Sequence, residues 1–248
     1  MTTGNRLVGV IGGMGPDATV DFMARVIEKT PASSDQDHVR MLVEHNPRIP
    51  SRQLAMHGEG ESPGPVIVQM AIRLEASGAD FIVMPCNAAH AWQDDIVAAT
   101  SIPFISIIEE SVSRSLQCTR DGGAIGLLTT PGCFAAGLYQ GALASLKRVT
   151  VLQSPEELAE TMSLIERIKA GDKSKPVATG LCELTDLLVS RGAETVIAAC
   201  TELPLVLDQS MLTVPLVAST DALAEKTVAL ALSDEPLPEN GQQESAGA

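Results

Sequence analysis

The sequence predicts an α/β fold of two similar domains, each with a parallel-rich sheet flanked by helices, related to each other by a pseudo-two-fold duplication. Three observations predict it. Short apolar runs alternate with helix-length amphipathic segments, a rhythm typical of parallel sheets covered by helices on both faces. Hydrophobic content is 45% but aromatic content only 2%, which suits aliphatic strands buried on both faces. The alternation also starts again in the second half of the chain.

The elements follow in order along the chain. In the first half, an apolar run enters a glycine-rich turn and a helix, and the same alternation then continues. The predicted strands of this half are Arg6–Gly12, Val39–Glu44, Phe81–Met84 and Ile102–Ile107, and the predicted helices are Asp17–Lys29, Pro65–Ser77, Asp94–Thr100 and Glu109–Gln117. The predicted strands of the second half are Ala124–Leu128, Glu194–Ala198 and Val214–Val217, and its predicted helices are Glu156–Ala170 and Pro176–Ser190.

A repeated pattern connects the two halves. Leu74–Asn87 reads LEASGADFIVMPCN and Leu188–Thr201 reads LVSRGAETVIAACT, with a Gly-Ala pair eight residues before a cysteine in both. Any two helix–strand units share some matches, but a common cysteine at the strand end favours duplication.

The repeat suggests where the domains divide. We expect residues 1–100 plus about 211–232 to form the first α/β domain and residues 101–210 to form the second. Residues 233–248 are polar, with Pro, Gly and Glu and few apolar side chains, so we expect a disordered tail.

Charge and cysteine usage narrow the functional class. A formal net charge of −14 without a basic cluster disfavours nucleic acid and membranes as partners and leaves a small-molecule substrate. The five cysteines form no CxxC pair and the four histidines have no metal-ligand spacing, which predicts free thiols and no metal. The N-terminal apolar run is too short for a signal peptide, so we expect a cytoplasmic protein.

Two cysteines are the strongest candidates for chemistry. Ligands of open α/β sheets bind beyond the carboxyl ends of the strands, and a pseudo-two-fold axis would make Cys86 and Cys200 face each other across one cleft. Such a pair suits a two-base racemase, in which one group removes the α-proton and the other protonates the opposite face. Predicted helix N-termini at Asn87–Gln93 and Thr201–Val206 should lower the thiol pKa values. A single cysteine is usually a buried core residue. The catalytic interpretation therefore depends on the equivalent positions of Cys86 and Cys200 at two strand ends.

Other segments are less specific. Gly13–Ala18 matches G-x-G-x-x-A after a strand, which raises an NAD(P)-dependent oxidoreductase as an alternative, but Glu44 lies too far along the chain for the ribose contact. A tight turn with Pro16 opening a helix explains the motif equally well. The loop His45–Arg52 carries two arginines between prolines and is a candidate carboxylate clamp or a solvated loop. His90 is placed to orient groups near Cys86.

Six motifs together resemble the aspartate/glutamate racemase superfamily, most closely its aspartate racemases. The resemblance runs from about Leu7 to Leu232. The motifs are GVIGGMGPDAT (Gly9–Thr19), HNPRIPSR (His45–Arg52), GADFIVMPCNAAHA (Gly78–Ala91), GLLTTPGC (Gly126–Cys133), IKAGD (Ile168–Asp172) and ACTELPL (Ala199–Leu205).

The resemblance implies a cofactor-independent enzyme, without pyridoxal phosphate, that interconverts L- and D-aspartate between two α/β domains of a homodimer. It implies that Cys86 and Cys200 are the acid/base pair. It further implies contacts of Asn87 and Thr201 with the α-carboxylate and amino groups, and of Arg52 and Lys169 with the side-chain carboxylate. The remaining implied substrate contacts are Thr130 and Met14.

Three departures bear on the substrate. Ala88 stands where the family usually has Thr, Ser51 replaces an Asp, and Cys133 replaces a common Thr. Glutamate or another amino acid therefore remains an alternative substrate, and a superfamily isomerase or decarboxylase an alternative reaction. From other classes, an NAD(P)-dependent oxidoreductase and a non-catalytic amino-acid-binding protein also remain.

Overall fold

Two parallel four-stranded sheets with the same strand order organise the chain. The structure is a computed structural model that describes residues 6–240. The first sheet has the order β2-β1-β3-β4 and the second β6-β5-β7-β8, and all neighbouring strands are parallel. The strands are β1 Leu7–Gly12, β2 Arg40–His45, β3 Phe81–Val83, β4 Phe104–Ile105, β5 Ala124–Thr129, β6 Thr150–Val151, β7 Ala193–Ala199 and β8 Leu216–Ala218. The predicted α/β class, with parallel sheets flanked by helices, is confirmed.

Helices connect and cover these strands. They are α1 Pro16–Lys29, α2 Arg52–Met56, α3 Gly64–Ala76, α4 Gln93–Ala99, α5 Ile107–Cys118, α6 Pro131–Ala135, α7 Leu138–Ser145, α8 Pro155–Lys169, α9 Lys175–Ser190 and α10 Ser219–Leu232. Local sequence sets their ends. At α8, Ser154 accepts a hydrogen bond from the Glu157 N–H, the Glu157 side chain closes the capping box, and Pro155 takes the first helical position.

The elements predicted from periodicity are present, with ends shifted by a few residues. The prediction did not include β6, α2, α6, α7 or α10. Strand β6 has two residues and helices α2 and α6 have five each, which is too short for a hydrophobic period to show.

Two edge strands pair across the domain boundaries expected from the repeat. Strand β4 pairs with β3 in the first sheet, although residues 101–210 were expected in the second domain. Strand β8 pairs with β7 in the second sheet, although residues 211–232 were expected in the first domain. The helices that follow these strands cross over, because α5 packs on β7 and β8 while α10 packs on α1. Each sheet is thus covered by a helix that follows the other sheet's last strand.

One buried apolar cluster lies between the sheets and joins them. It combines Val8 and Val10 of β1 with Ile125 and Leu127 of β5 and Ile197 of β7. All of these side chains are at most 1% exposed. The carboxyl ends of β1, β3, β5 and β7 are therefore held in one packed unit.

Residues 233–240, expected as part of a disordered tail, make specific contacts with the rest of the chain. Asn240 donates hydrogen bonds from Nδ2 to the carbonyl oxygens of Thr100 (2.9 Å) and Val97 (3.2 Å). Its Oδ1 accepts one from the Phe104 N–H at 3.3 Å. Leu237 packs against the shared core. The Asn240 amide thus bonds to backbone groups at the end of α4 and on edge strand β4. Residues 241–248 lie outside the described part of the chain.

No helix in residues 6–240 combines the length and the apolar character needed to cross a membrane.

Candidate active site

Cys86 and Cys200 lie just beyond the carboxyl ends of β3 and β7, which occupy the same position in their sheets. Both are buried, with 6% and 7% of their surface exposed. Cys133 lies near Cys86, and Tyr139 lies near both Cys133 and Cys200. Burial is the main cause that raises the pKa of Cys133 and of Tyr139. Both halves of the chain thus contribute a thiol to one buried region.

The expected lowering of the thiol pKa by helix N-termini is wrong for Cys200. The segments after the cysteines form short 3-10 helices, Ala88–Trp92 and Leu203–Leu205, rather than α-helices. Burial, and then the negative charge of Glu202, raises the pKa of the Cys200 thiol well above its usual value. A protonated thiol suits the contact observed, in which Sγ donates a hydrogen bond to Glu202 Oε2 at 3.0 Å.

Glu202 is a functional candidate that the sequence analysis missed. Its side chain is buried, and its Oε1 accepts a hydrogen bond from the Gly15 N–H at 3.1 Å. Lys169 Nζ lies 3.8 Å from the same oxygen, with its side chain 40% exposed. A buried carboxylate requires such partners. Because Lys169 is partly exposed, solvent screens its attraction for Glu202 and the ion pair is weak. The sequence did offer an indication of this role, since Glu202 is an acidic residue directly before the apolar residues Leu203–Leu205 at a strand end.

The glycine-rich turn between β1 and α1 provides close approaches. Gly13 has φ +99°, and a Cβ there would lie 2.4 Å from the Asn46 backbone. A Cβ on Gly15 would lie 2.9 Å from Glu202 Oε1. Met14, between them, is 2% exposed and packs in the apolar cluster of Cys86. Packing and the Glu202 contact therefore account for the glycine spacing that resembles a dinucleotide fingerprint.

Asn87 is held by two side chains from distant parts of the chain. The Tyr139 hydroxyl donates to Asn87 Oδ1 at 2.5 Å, and Asn87 Nδ2 donates to Ser219 Oγ at 2.9 Å. All three residues are buried. Tyr139, the one tyrosine of the chain, was not singled out from the sequence because α7 was not predicted.

The loop after β5 places Thr130 and Cys133 beside this network. Thr130 caps α6, since its Oγ1 accepts a hydrogen bond from the Cys133 N–H at 3.2 Å. Burial raises the pKa of the Cys133 thiol to about 12, so this cysteine is a neutral buried group. The neighbouring Thr129 Oγ1 is buried without a hydrogen-bond partner among residues 6–240.

The arginine-bearing loop docks on the second half of the chain. Gln53 of α2 accepts a hydrogen bond from the Gly132 N–H at 2.6 Å, which joins α2 to α6. Arg52, the first residue of α2, donates to the Pro50 carbonyl at 3.0 Å. Across the described chain, no carboxylate lies within salt-bridge distance of its guanidinium, whereas Lys169 faces Glu202. Of the two cations expected to bind a side-chain carboxylate, Arg52 is the one without an acidic partner.

His90 joins the Cys86 segment to α5. Its Nε2 accepts from the Ile107 N–H at 3.0 Å, so Nδ1 carries the proton and donates to the Cys86 carbonyl at 2.8 Å. Burial lowers the His90 pKa to about 4. The ring is therefore neutral and supports Cys86 through the backbone.

Most of the predicted site residues are thus buried around the strand ends. Thr201 is 1% exposed and its hydroxyl lies 3.5 Å from Glu202 Oε2. Within residues 6–240, no group of three or more His, Cys, Asp and Glu side chains is arranged to hold a metal ion.

A family comparison agrees with this fold and arrangement. The family described as Asp/Glu/Hydantoin racemase matches residues 11–227, and the chain therefore belongs to that family. It is an amino-acid racemase, and so an isomerase.

Individual relatives differ in the substrates that their names state. The broad specificity amino-acid racemase RacX of Bacillus subtilis (strain 168) is 28% identical over 233 residues, covering 92% of this chain and 99% of that protein. The solved structure of Picrophilus torridus aspartate racemase is 30% identical, with a TM-score of 0.81, and covers 92% of this chain and 94% of that one. A glutamate racemase of Corynebacterium kroppenstedtii is 30% identical over 137 residues, covering 53% of this chain and 45% of that protein.

Proposed function

We propose that the chain interconverts L- and D-aspartate without a cofactor, by a two-base mechanism in which Cys86 and Cys200 act on opposite faces of the α-carbon. The observation that carries the proposal is the pair of buried thiols at equivalent strand ends, in a chain that belongs to a racemase family. The similarity to an aspartate racemase over 92% of the chain supports the choice of substrate.

The chemistry needs one proton removed and one delivered. A thiolate takes the α-proton, the electron pair of the C–H bond moves into the α-carboxylate, and the opposite thiol returns a proton to the other face. The net reaction is inversion without oxidation or reduction. Hydrogen-bond donors near the α-carboxylate stabilise the charge that develops there.

We place the resting proton on Cys200 in this proposal, and its contact with Glu202 supports the choice. Its Sγ donates to the carboxylate at 3.0 Å, and burial and that charge raise the pKa of the Cys200 thiol. In the direction that starts from this resting state, Cys86 is the base that removes the α-proton, and Cys200 is the acid that protonates the opposite face. Lys169, near Glu202, moderates the repulsion once Cys200 has given up its proton.

For the side-chain carboxylate we propose Arg52, because its guanidinium has no acidic partner among residues 6–240. Thr130, Thr201 and Met14 line the cleft in this proposal. We further propose that the enzyme works as a homodimer in the cytoplasm.

A second candidate is a racemase of broader specificity, glutamate included. Ala88 removes a hydroxyl that the family usually has beside Asn87, and the chain is similar to the broad specificity racemase RacX. Fewer fixed polar contacts with the substrate would let more side chains be accepted.

Proton exchange tests the proposal. The purified protein is incubated in D2O with each enantiomer of aspartate, glutamate and a panel of other amino acids, without pyridoxal phosphate, and loss of the α-proton signal is followed by NMR. We expect the fastest exchange with aspartate. A faster rate with several apolar amino acids would favour the broad-specificity candidate, and exchange with none of them would overturn the racemase proposal for that panel. Binding without exchange would indicate the non-catalytic alternative.

Single cysteine variants then test the mechanism. We expect Cys86→Ala and Cys200→Ala each to lower racemisation by at least about 10²–10⁴-fold, the usual contribution of an acid or base. Cys182→Ala is the matched control, because this partly exposed thiol lies on α9 outside the site. Full activity of either active-site variant would show that the mechanism is wrong even if the enzyme is a racemase.

A further inference from the structure

We propose that Tyr139 is a positioning residue that fixes the Asn87 amide so that one N–H is left to bind the substrate's α-carboxylate. The inference rests on the proposed function and assigns one substrate contact within it. It also narrows the role of Asn87, which the family resemblance connected with both the α-carboxylate and the amino group.

The hydrogen-bonding capacity of Asn87 carries the argument. An asparagine side chain has one acceptor oxygen and two N–H donors. The oxygen accepts from the Tyr139 hydroxyl at 2.5 Å, and one N–H donates to Ser219 Oγ at 2.9 Å. The second N–H has no partner among residues 6–240, although Asn87 is only 3% exposed. A buried donor without a partner is unfavourable, and an anionic oxygen of a ligand would satisfy it.

The direction of the Tyr139 hydrogen bond decides which ligand group fits. Because the phenol is buried, its pKa is raised well above its usual value, and the hydroxyl keeps its proton for donation. The Tyr139 hydroxyl then uses one lone pair of the Asn87 oxygen and fixes the amide, so that an N–H is left for the site. An N–H donor attracts a carboxylate and has no acceptor to offer an ammonium group.

The three residues also come from separate parts of the fold. Asn87 follows Cys86 in the first half, Tyr139 lies on α7 of the second half, and Ser219 begins α10. The amide is therefore held one residue from an acid/base thiol, where charge on the α-carboxylate grows as the proton leaves. A donor in that place stabilises the transition state more than the ground state.

Substitution of Tyr139→Phe removes the hydroxyl and keeps the ring. We expect kcat/KM to fall about tenfold for the amino acid that the wild type exchanges fastest, with most of the loss in kcat, as for one buried neutral hydrogen bond. In an Asn87→Ala background, the same substitution should change kcat/KM by less than about twofold, because Tyr139 acts through Asn87. Thr185→Val is the matched control, since it removes another fully buried hydroxyl, bonded to the Leu181 carbonyl in α9.

Calorimetric binding provides a second readout. We expect Tyr139→Phe to weaken the binding of L-aspartate severalfold and to weaken the binding of its α-carboxamide clearly less, because a hydrogen bond to the ionised carboxylate is stronger than one to a neutral carbonyl oxygen. Equal weakening of both ligands, or a loss of kcat/KM that persists in the Asn87→Ala background, would show a merely structural role and overturn the inference.

The outcome is separable from that of the proposed function. If the wild type exchanges no α-proton, the racemase proposal fails. The calorimetry alone then decides whether Tyr139 positions a donor for the carboxylate. If the wild type does not bind L-aspartate, both the proposed function and this inference are overturned. If Tyr139→Phe lowers the melting temperature far more than the Thr185→Val control does, Ser219→Ala releases the other side of the amide instead. This variant should also weaken the binding of L-aspartate more than that of the α-carboxamide, and an equal effect on the two ligands would contradict the inference.

Discussion

The surroundings of Cys86 and Cys200 differ in kind, although the two thiols occupy equivalent strand ends. Cys86 lies among neutral groups: His90 fixes its carbonyl, and Asn87 next to it is clamped by Tyr139 and Ser219. Cys200 lies among charged groups, with Glu202 as its hydrogen-bond acceptor and Lys169 near that carboxylate.

The difference teaches how a duplicated fold becomes an asymmetric site. Repeated β-strands deliver two thiols by the same backbone geometry, whereas the residues after each strand are free to differ. In this account, the Cys86 side holds the substrate's α-carboxylate and the Cys200 side controls a proton. The predictions that follow change one side at a time.

The largest effect is expected at the charged side. Glu202→Gln removes the negative charge, so the pKa of Cys200 should fall, because the carboxylate raises it. We expect kcat to fall by about 10²–10³-fold, within the usual range for acid–base groups, and the alkaline limb of the pH–rate profile to move to lower pH. The exposed Glu183→Gln on α9 is the control. An unchanged pH profile would show that Glu202 does not set the protonation of Cys200.

On the neutral side, His90 predicts a pH dependence of stability. Its pKa is about 4 in the folded protein and near 6.5 when unfolded, so the unfolded state binds the extra proton between these values. The contribution is therefore fully present above about pH 6.5 and is lost as pH falls toward 4, by up to about 3 kcal/mol in the free energy of unfolding.

Urea unfolding at pH 7 and at pH 4.5 measures this contribution. His90→Phe should flatten the pH dependence and also destabilise the protein at pH 7 by about 1–3 kcal/mol, because it leaves the Ile107 N–H and the Cys86 carbonyl unpaired. The exposed His57→Phe should retain the wild-type slope. A wild-type slope in His90→Phe would contradict the assignment.

The smallest effect is expected where the glycine turn meets Glu202. A Cβ on Gly15 would lie 2.9 Å from Oε1, so Gly15→Ala should displace the carboxylate and lower kcat about tenfold, a barrier change of about 1.4 kcal/mol. Gly141→Ala on α7 is the control, because its added Cβ meets no atom within 4 Å. It should preserve activity and raise stability by about 0.5–1 kcal/mol. Equal activity of both variants would show that the position of Glu202 is not critical.

The sequence predicted the repeated strands and the pair of thiols because both are local patterns that recur at fixed spacing. It did not predict Glu202 or Tyr139 as site residues, because their contacts are made across the fold. Gly15 and Glu202 are 187 residues apart, and Asn87 and Tyr139 are 52 apart. The pairing of β4 and β8 and the Asn240 contacts were not predicted for a similar reason, because they depend on tertiary packing that composition does not encode.

The central claim is that two thiols act on opposite faces, and isotope placement during the first turnovers tests it most directly. Each aspartate enantiomer is incubated separately with the enzyme in D2O, and the α-position of recovered substrate and of product is analysed after chiral separation. The account predicts deuterium in the product enantiomer and protium retained in the substrate enantiomer, in both directions. Deuterium entering the recovered substrate as fast as the product would indicate one base serving both faces and would contradict the two-cysteine mechanism.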